Sequence, residues 1–414
     1  MIETWVVDGL PLATETGAEE TAADTNAEEP AFEALYRTHA KRILRCCGRA
    51  RPWGSNLAAV AILDPENLAN PTEMNRRNWR QQTMTGLAMR SALVAIVLIG
   101  AAGAAAGQTE ELVRTIRMEP GGLLTLRNIS GETTVTGVDG DDLTIRATKR
   151  LVGRGSAESL DRVEIEIEER GNRVDVEPRY RRRSLLQSLG NLLGGGPGSV
   201  AVDYVVTVPR GAGVTVESVS GDVTVEDVAG ETRIEVVSGD VRLASLAKLV
   251  EVEAVSGRVR IADASSDDAM TVETVSGRLD IDRVRAPRLE ASSVSGAVAL
   301  RGVDSRRVEV ETVSGSVTFS GALATNGRYE FESHSGGIHL TVPEGTGFEL
   351  ESESFSGGLR SAIPIVVGRG DRAGEVTVFE SGSRSLEGVA GDGGGRLELS
   401  TFSGDMRIEV GPVP

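Results

Sequence analysis

Apolar and polar positions alternate along most of the chain beyond residue 120. In "VEVEAVSGRVRIAD" (250–263), Val250 and Val252 alternate with Glu251 and Glu253, and Val259 and Ile261 with Arg258 and Arg260. A period of two predicts strands with one buried face. Val255-Ser256-Gly257 interrupts the alternation. A glycine that can take positive φ predicts a corner there. Asp, Ala, Ser and Gly after the second run predict the bend that closes the turn.

The unit recurs. Ser-Gly pairs begin at Ser220, Ser238, Ser256, Ser276, Ser295, Ser314, Ser335 and Ser356, at spacings of 18, 18, 20, 19, 19, 21 and 21 residues. "LTLRNISGETTVTGV" (124–138) and "LELSTFSGDMRIEV" (397–410) fit the same template. A repeat of this length is the mark of a solenoid. One coil cannot bury its own apolar side, but stacked coils lay Val over Val at about 4.8 Å. The pattern predicts an all-β, single-stranded parallel β-solenoid, β-helix-like, with about 19 residues per coil. The crossover rule makes it right-handed. The Ser hydroxyls are expected to stack and bond along the corner.

Stacking in register would align outward side chains into columns. Two places before the residue that precedes Ser-Gly stand Glu217, Glu235, Glu253, Glu273, Ser292, Glu311, Glu332 and Glu353. Four places before it stand Thr215, Arg233, Glu251, Thr271, Glu290, Glu309, Glu330 and Glu351. Adjacent carboxylates at ~5 Å repel by about 0.8 kcal/mol in water, less in salt. One reading is a solvated face that deters sheet stacking. The other is a stripe for calcium or a cationic partner, since calcium takes clustered carboxylate oxygens. The Gly-Gly-x-Gly-x-Asp signature of calcium solenoids is absent.

An insertion interrupts the array at 146–200. "VEIEIEERGNRVDVEP" (163–178) predicts a hairpin around Gly171-Asn172. Next come Arg179, Arg181, Arg182 and Arg183, then Leu185, Leu186, Leu189, Leu192 and Leu193, whose spacing makes one helical face. Such a basic amphipathic helix suits either a cap on a solenoid end or contact with an anionic membrane surface.

Upstream, "SALVAIVLIGAAGAAA" (91–106) follows Arg90 and the basic "NRRNWRQQ". Basic, apolar and then small residues ending Ala-Ala-Ala read as a signal peptide. Its distance from Met1 predicts a true start at Met74, Met84 or Met89. The other reading is a single membrane anchor, which needs about 20 apolar residues. Residues 1–73 then form a mis-called or disordered extension, 74–106 the signal or anchor, 107–210 the first coils with the hairpin and basic insertion, and 211–414 the Ser-Gly repeats. Within the extension, "AFEALYRTHAKRILR" (31–45) resembles the opening helix of extracytoplasmic-function sigma factors. The likeness stops there, and no sigma activity is assigned.

Composition narrows the function. Aromatics are 3% of the chain and Gly is 50 of 414, so the core is built of Val, Ile and Leu. The net charge of −17 argues against nucleic acid as a partner. Cys46 and Cys47 are adjacent and lack zinc spacing or a disulfide framework. His334 and His339, expected to face opposite ways, do not make a shared metal site. No Ser-His-Asp set assembles.

The "SVSGDVTVEDVAG" repeat following "VDYVVTVPRGAGVTVE" (202–217) resembles the bacterial putative-adhesin family of β-strand repeat domains over roughly residues 119–410. That resemblance implies placement at the cell surface or envelope, and it brings no catalytic residues and no cofactor. The chain is therefore expected to be a non-enzymatic exported module that binds or scaffolds an envelope component or protein partner. An envelope-stress component acting through a protein partner is a second reading. A polysaccharide-active β-helix enzyme is a third, opposed by two features. Trp5, Trp53 and Trp79 all precede the signal, and Asp222 and Asp240 give way to Arg258, Arg278, Ala297 and Ser316 in later coils. The sequence sets no oligomeric state.

Overall fold

The computed structural model describes residues 109–153, 157–180, 199–367, 374–379 and 384–413. The N-terminal end comprises β1 (Thr109–Arg117), β2 (Leu123–Asn128), β3 (Thr133–Val138), β4 (Asp142–Val152), a 3-10 turn (Ala157–Arg162), β5 (Val163–Arg170), β6 (Arg173–Tyr180) and β7 (Ser199–Pro209). Seven two-strand coils follow: β8 (Gly213–Ser220) with β9 (Val223–Glu226), β10 (Glu231–Ser238) with β11 (Val241–Leu246), β12 (Lys248–Ser256) with β13 (Val259–Ser265), β14 (Ala269–Ser276) with β15 (Leu279–Arg285), β16 (Arg288–Ser295) with β17 (Val298–Arg301), β18 (Arg307–Ser314) with β19 (Val317–Ser320), and β20 (Arg328–Ser335) with β21 (Ile338–Val342). The C-terminal end holds β22 (Phe348–Ser356), β23 (Leu359–Val367), β24 (Gly374–Phe379), β25 (Arg384–Ala390), β26 (Gly395–Ser403) and β27 (Met406–Val410).

The solenoid expectation holds. First strands pair in parallel from coil to coil to form one ladder, and second strands form another. Inward side chains stack as predicted: Val216, Ile234, Val252, Val272, Ala291, Val310 and Phe331 lie in one row. Val223, Val241, Val259, Leu279, Val298, Val317 and Ile338 lie in the facing row. All are buried in one continuous core. Each buried Val, Ile, Leu or Phe of these rows is worth about 1.5–3 kcal/mol against exposure. Val250 departs from the expectation. The ladder register shifts opposite it, so Leu249 takes the core position and Val250 stays half-buried.

The corner works differently from the sequence reading. Gly221, Gly239 and Gly257 do have φ of 137°, 145° and 125°, but Gly277, Gly296 and Gly315 are not in that range. What the column shares is a close approach. A Cβ on Gly277 would lie 1.8 Å from the carbonyl oxygen of Gly257, and on Gly296 1.7 Å from that of Gly277. Glycine is there because the preceding coil's backbone occupies the space of a side chain. The bonds along the corner are main-chain bonds: the N–H of Gly239 donates to the Ser256 carbonyl at 3.2 Å and that of Gly257 to the Ser276 carbonyl at 3.2 Å. The Ser hydroxyls of this column, expected to bond to one another, instead face outward. The left-handed bend lies at the other corner, at Asp227, Ser245, Asp263 and Arg283, with φ between 51° and 60°.

Coil order departs from chain order at both ends. The coil β2–β3 lies directly beside β8–β9, and β6 and β7 pair outside it. The last coil in sequence, β26–β27, lies between β20–β21 and β22–β23. Antiparallel strands finish each end: β5 on β6, and β4 on β7 with β1 on β4, at one; β25 on β22 and β24 on β23 at the other. The region read as an insertion at 146–200 is thus partly the end of the solenoid itself. The hairpin turn at Gly171-Asn172 is as expected, with Arg170 opposite Arg173.

Candidate functional site

The outward face of the first-strand ladder carries the two predicted Glu columns, and the register aligns them. Glu217, Glu235, Glu253 and Glu273 are successive partners, then Ser292, Glu311 and Glu332. The next coil up is β26, so Ser400 follows Glu332, and Glu353 lies one step beyond. In the other column Glu290, Glu309 and Glu330 continue to Glu398 and then Glu351.

The two columns differ electrostatically. The outer one is neutralised by arginines at the strand starts, which sequence reading missed although "RLE", "RVE", "RYE" and "RLE" show the spacing. Arg288 reaches Glu309 at 3.1 Å, Arg328 reaches Glu398 at 3.0 Å, and Arg396 reaches Glu351 and Glu398 at 2.7 Å each. Arg233 lies 3.8 Å from Glu251. In the inner column Glu217 is paired with Arg127 at 3.0 Å. Among the described residues no Lys or Arg pairs with Glu235, Glu253, Glu273, Glu311, Glu332 or Glu353.

Partial burial on the sheet, then repulsion from neighbouring carboxylates, pushes Glu235, Glu253 and Glu311 up to about 7. For Glu253 those neighbours are Glu235, Glu251 and Glu273. Glu273 and Glu332 are raised for the same reasons. The face therefore holds a row of carboxylates that costs free energy when ionised and unpartnered. Among the described residues no three His, Cys, Asp or Glu side chains gather into a metal-holding group. The carboxylates form a line rather than a cage.

A third column, the residues just before Ser, runs beside the inner Glu row. It begins with the buried Val219 and Val237 and ends with Val313, His334, Phe402 and Phe355. His334 and Phe402 stack at 4.8 Å, and Phe402 and Phe355 at 4.7 Å. Sequence reading missed this stack, because Phe355 and Phe402 become neighbours only through the altered coil order. His339 lies on the second ladder, 3.1 Å from Glu409.

The second ladder presents mixed charges. Arg242 lies 3.2 Å from Asp222 and 3.4 Å from Asp240, and Arg301 2.8 Å from Asp282. Asp222 accepts a bond from the Asp240 N–H at 2.9 Å and Asp240 one from the Arg258 N–H at 3.0 Å. These aspartates tie coils together. A shallow 210 Å³ cleft at the N-terminal end is lined by Pro120, Asp139, Asp141, Pro209 and Arg210 among others, and contains no nucleophile with a base.

Arg179, expected in the basic helix, belongs to β6 instead, where it pairs with Glu166 and with Glu177 at 3.3 Å. An edge hairpin rich in glutamate draws it into the sheet. Arg181, Arg182, Arg183, Leu185, Leu186, Leu189, Leu192 and Leu193 lie outside the described residues, as do residues 1–108. Among the described residues no helix is long and apolar enough to cross a membrane.

Residues 122–296 and 203–409 match the family model of a repeat domain. The chain belongs to the Toastrack DUF4097 family, a domain of unknown function. Among solved structures, this Toastrack chain is similar to a putative adhesin from Bacteroides fragilis, at 12% identity over 72% of this chain and 97% of that one, with a TM-score of 0.35. It is similar to a putative adhesin from Parabacteroides distasonis at 10% identity over 74% and 98%, TM-score 0.32. A protein from the same organism described as a putative lipid binding protein matches at 10% over 73% and 98%, TM-score 0.26. No curated protein matches the chain.

Proposed function

We propose that this Toastrack chain is an exported, non-enzymatic, adhesin-like module that holds an envelope partner along its acidic face. The observation that carries this reading is the inner Glu row: beyond Glu217, which Arg127 holds, Glu235, Glu253, Glu273, Glu311 and Glu332 have no Lys or Arg partner among the described residues and are raised in pKa, beside an outer row that arginines neutralise. An approaching cationic group relieves repulsion that the fold leaves in place. The apolar run at 91–106 supports export, and the resemblance to putative-adhesin repeats supports placement in the envelope. Among the described residues no Ser, Thr or Tyr hydroxyl is hydrogen-bonded to a His side chain, which supports binding over chemistry. Calcium spread along the row is a second form of the same reading.

Co-sedimentation of the chain with isolated envelope fractions, in calcium and in chelator, tests it. Binding weakened by salt and by Glu235→Gln/Glu253→Gln/Glu273→Gln is expected. Loss of binding in chelator alone would move the site to calcium. No sedimentation in either condition would overturn the proposal.

A further inference from the structure

The ridge that ends in Phe355 differs from the rest of the face. Along the column, exposure rises from 8% at Val219 to 41% at Val313, 45% at Phe402 and 59% at Phe355. The three rings of His334, Phe402 and Phe355 are nearly parallel, with interplanar angles of 11° and 2°. Nothing among the described residues covers them. Two residues back on the same strands and the same face stand Glu311, Glu332 and Glu353, none paired with Lys or Arg. The carboxylates one column further out are held by Arg288, Arg328 and Arg396. Positive charge arriving beside the ridge thus finds open carboxylates in one row only.

We propose that this C-terminal part of the acidic face docks a basic amphipathic helix, laid along the solenoid axis with its apolar stripe on the ridge and its Lys or Arg side chains over the adjoining glutamates. The proposal rests on the binding-module reading and names the partner's chemistry. Three arguments lead to a helix of this kind. The first is charge: the open row is acidic and the chain carries −17 overall, so complementarity selects a cationic partner. The second is pitch. Coils repeat at about 4.8 Å and a helix at about 5.4 Å per turn. From Val313 to Phe355 is three coil steps, over which the two repeats drift by less than about 2 Å. The same-face residues of an extended strand step by about 6.7 Å and would slip by nearly 6 Å over that length. The third is the rings. Phe402 spends both ring faces on its neighbours, and His334 and Phe355 one each, so along its outward side the stack shows mainly ring edges. Cations prefer ring faces, so the ridge takes aliphatic side chains and leaves the cations to the Glu row.

A fluorescent 14-residue synthetic Leu/Lys helix, with leucines at i, i+3, i+4 and i+7, is titrated with the full chain by anisotropy. A Lys/Ser peptide of equal charge serves as the comparison. Phe355→Ser/Phe402→Ser keeps every carboxylate and removes the ridge. Both phenylalanines are exposed, and a thermal melt checks the fold. Binding of the Leu/Lys helix is expected to weaken about tenfold or more in that variant, and to weaken with salt and in Glu332→Gln/Glu353→Gln. Val313→Ser, at the far end of the ridge, should weaken it less and serves as the second variant should the double one melt early. Unchanged affinity in both ridge variants would overturn the proposal, as would a Lys/Ser peptide that binds as tightly. Self-association of the wild-type chain that disappears in the Phe355/Phe402 variant would assign the ridge to a second copy and also overturn it. Envelope co-sedimentation is read separately, so failure of the helix leaves that result standing.

Discussion

Coils from Gly213 to Val342 stack in the order in which they occur along the chain, whereas the coils at the two ends do not. At the N-terminal end the chain lays down an inner coil, β2–β3, then builds outward through β4 to β7, and crosses back over to start the central array at β8. At the C-terminal end it steps over one place to β22–β23, turns through β24 and β25, and fills the gap with β26–β27. The two ends follow the same plan in reverse. A central coil has a neighbour on each side and needs no device. A terminal coil leaves unpaired backbone groups, the usual liability of an edge strand. Antiparallel strands cover the edges here, and the returning coil locks them from within. The same inner coil order creates the aromatic stack, so closing the end also makes the face at that end different from the middle.

The largest effects should come from the shared corner. Gly277→Ala in the centre and Gly404→Ala in the returning coil would place a Cβ 1.8 and 2.1 Å from a carbonyl oxygen of the adjacent coil. Each is expected to cost more than about 4 kcal/mol. Gly211→Ala, with no atom within 4 Å of the new Cβ, should stay within about 0.5 kcal/mol. Denaturant unfolding measures all three. A mild Gly404→Ala would mean that the returning coil is not held as the central ones are.

A smaller effect separates the Glu rows. Glu253 sits between Glu235 and Glu273, whereas Glu353 has Ser400 as its coil neighbour. Glu253→Gln should raise stability by about 1 kcal/mol after allowance for solvent screening, roughly 2 °C in melting temperature. Glu353→Gln should leave the melt unchanged. Equal shifts in the two would break the distinction between centre and end.

A further effect is in pH. Glu235, Glu253 and Glu311 are held up to about 7 in the folded chain, above an ordinary value of 4.5, so the folded state binds protons more tightly than the unfolded one. Their contribution is full below about 4.5 and is lost as pH rises through about 7. The melting temperature is expected to fall between pH 5.5 and 8, and Glu235→Gln/Glu253→Gln/Glu311→Gln should flatten that fall. A melt that rises across the window would contradict the raised pKa values.

Much of the architecture was legible because it is local. Alternation specifies which side chains face in, and the Ser-Gly spacing specifies the coil length, so Val252 lies over Val272 as read. Columns follow from register, which is why Glu235 and Glu253 meet as expected. The reading failed where a residue's role depends on a backbone elsewhere in the stack. Gly277 looked like a turn residue, yet the Gly257 carbonyl explains it. Arg288 drew no attention in the sequence, yet it pairs with Glu309 on the next coil. Arg179 looked helical from its leucine-rich context, yet Glu166 of β5 and Glu177 of β6 hold it in a strand.

By itself the sequence determined the parallel coil, its two strands, its apolar core and its acidic outer columns, because period and spacing act within one repeat and stacking merely copies them. Only the tertiary structure decided the order of the end coils, the separation of paired from unpaired glutamates, and the stacking of His334, Phe402 and Phe355. Those depend on which edges are left open when the array stops. Residues far apart in the chain pair there to satisfy backbone groups that no single repeat can satisfy alone.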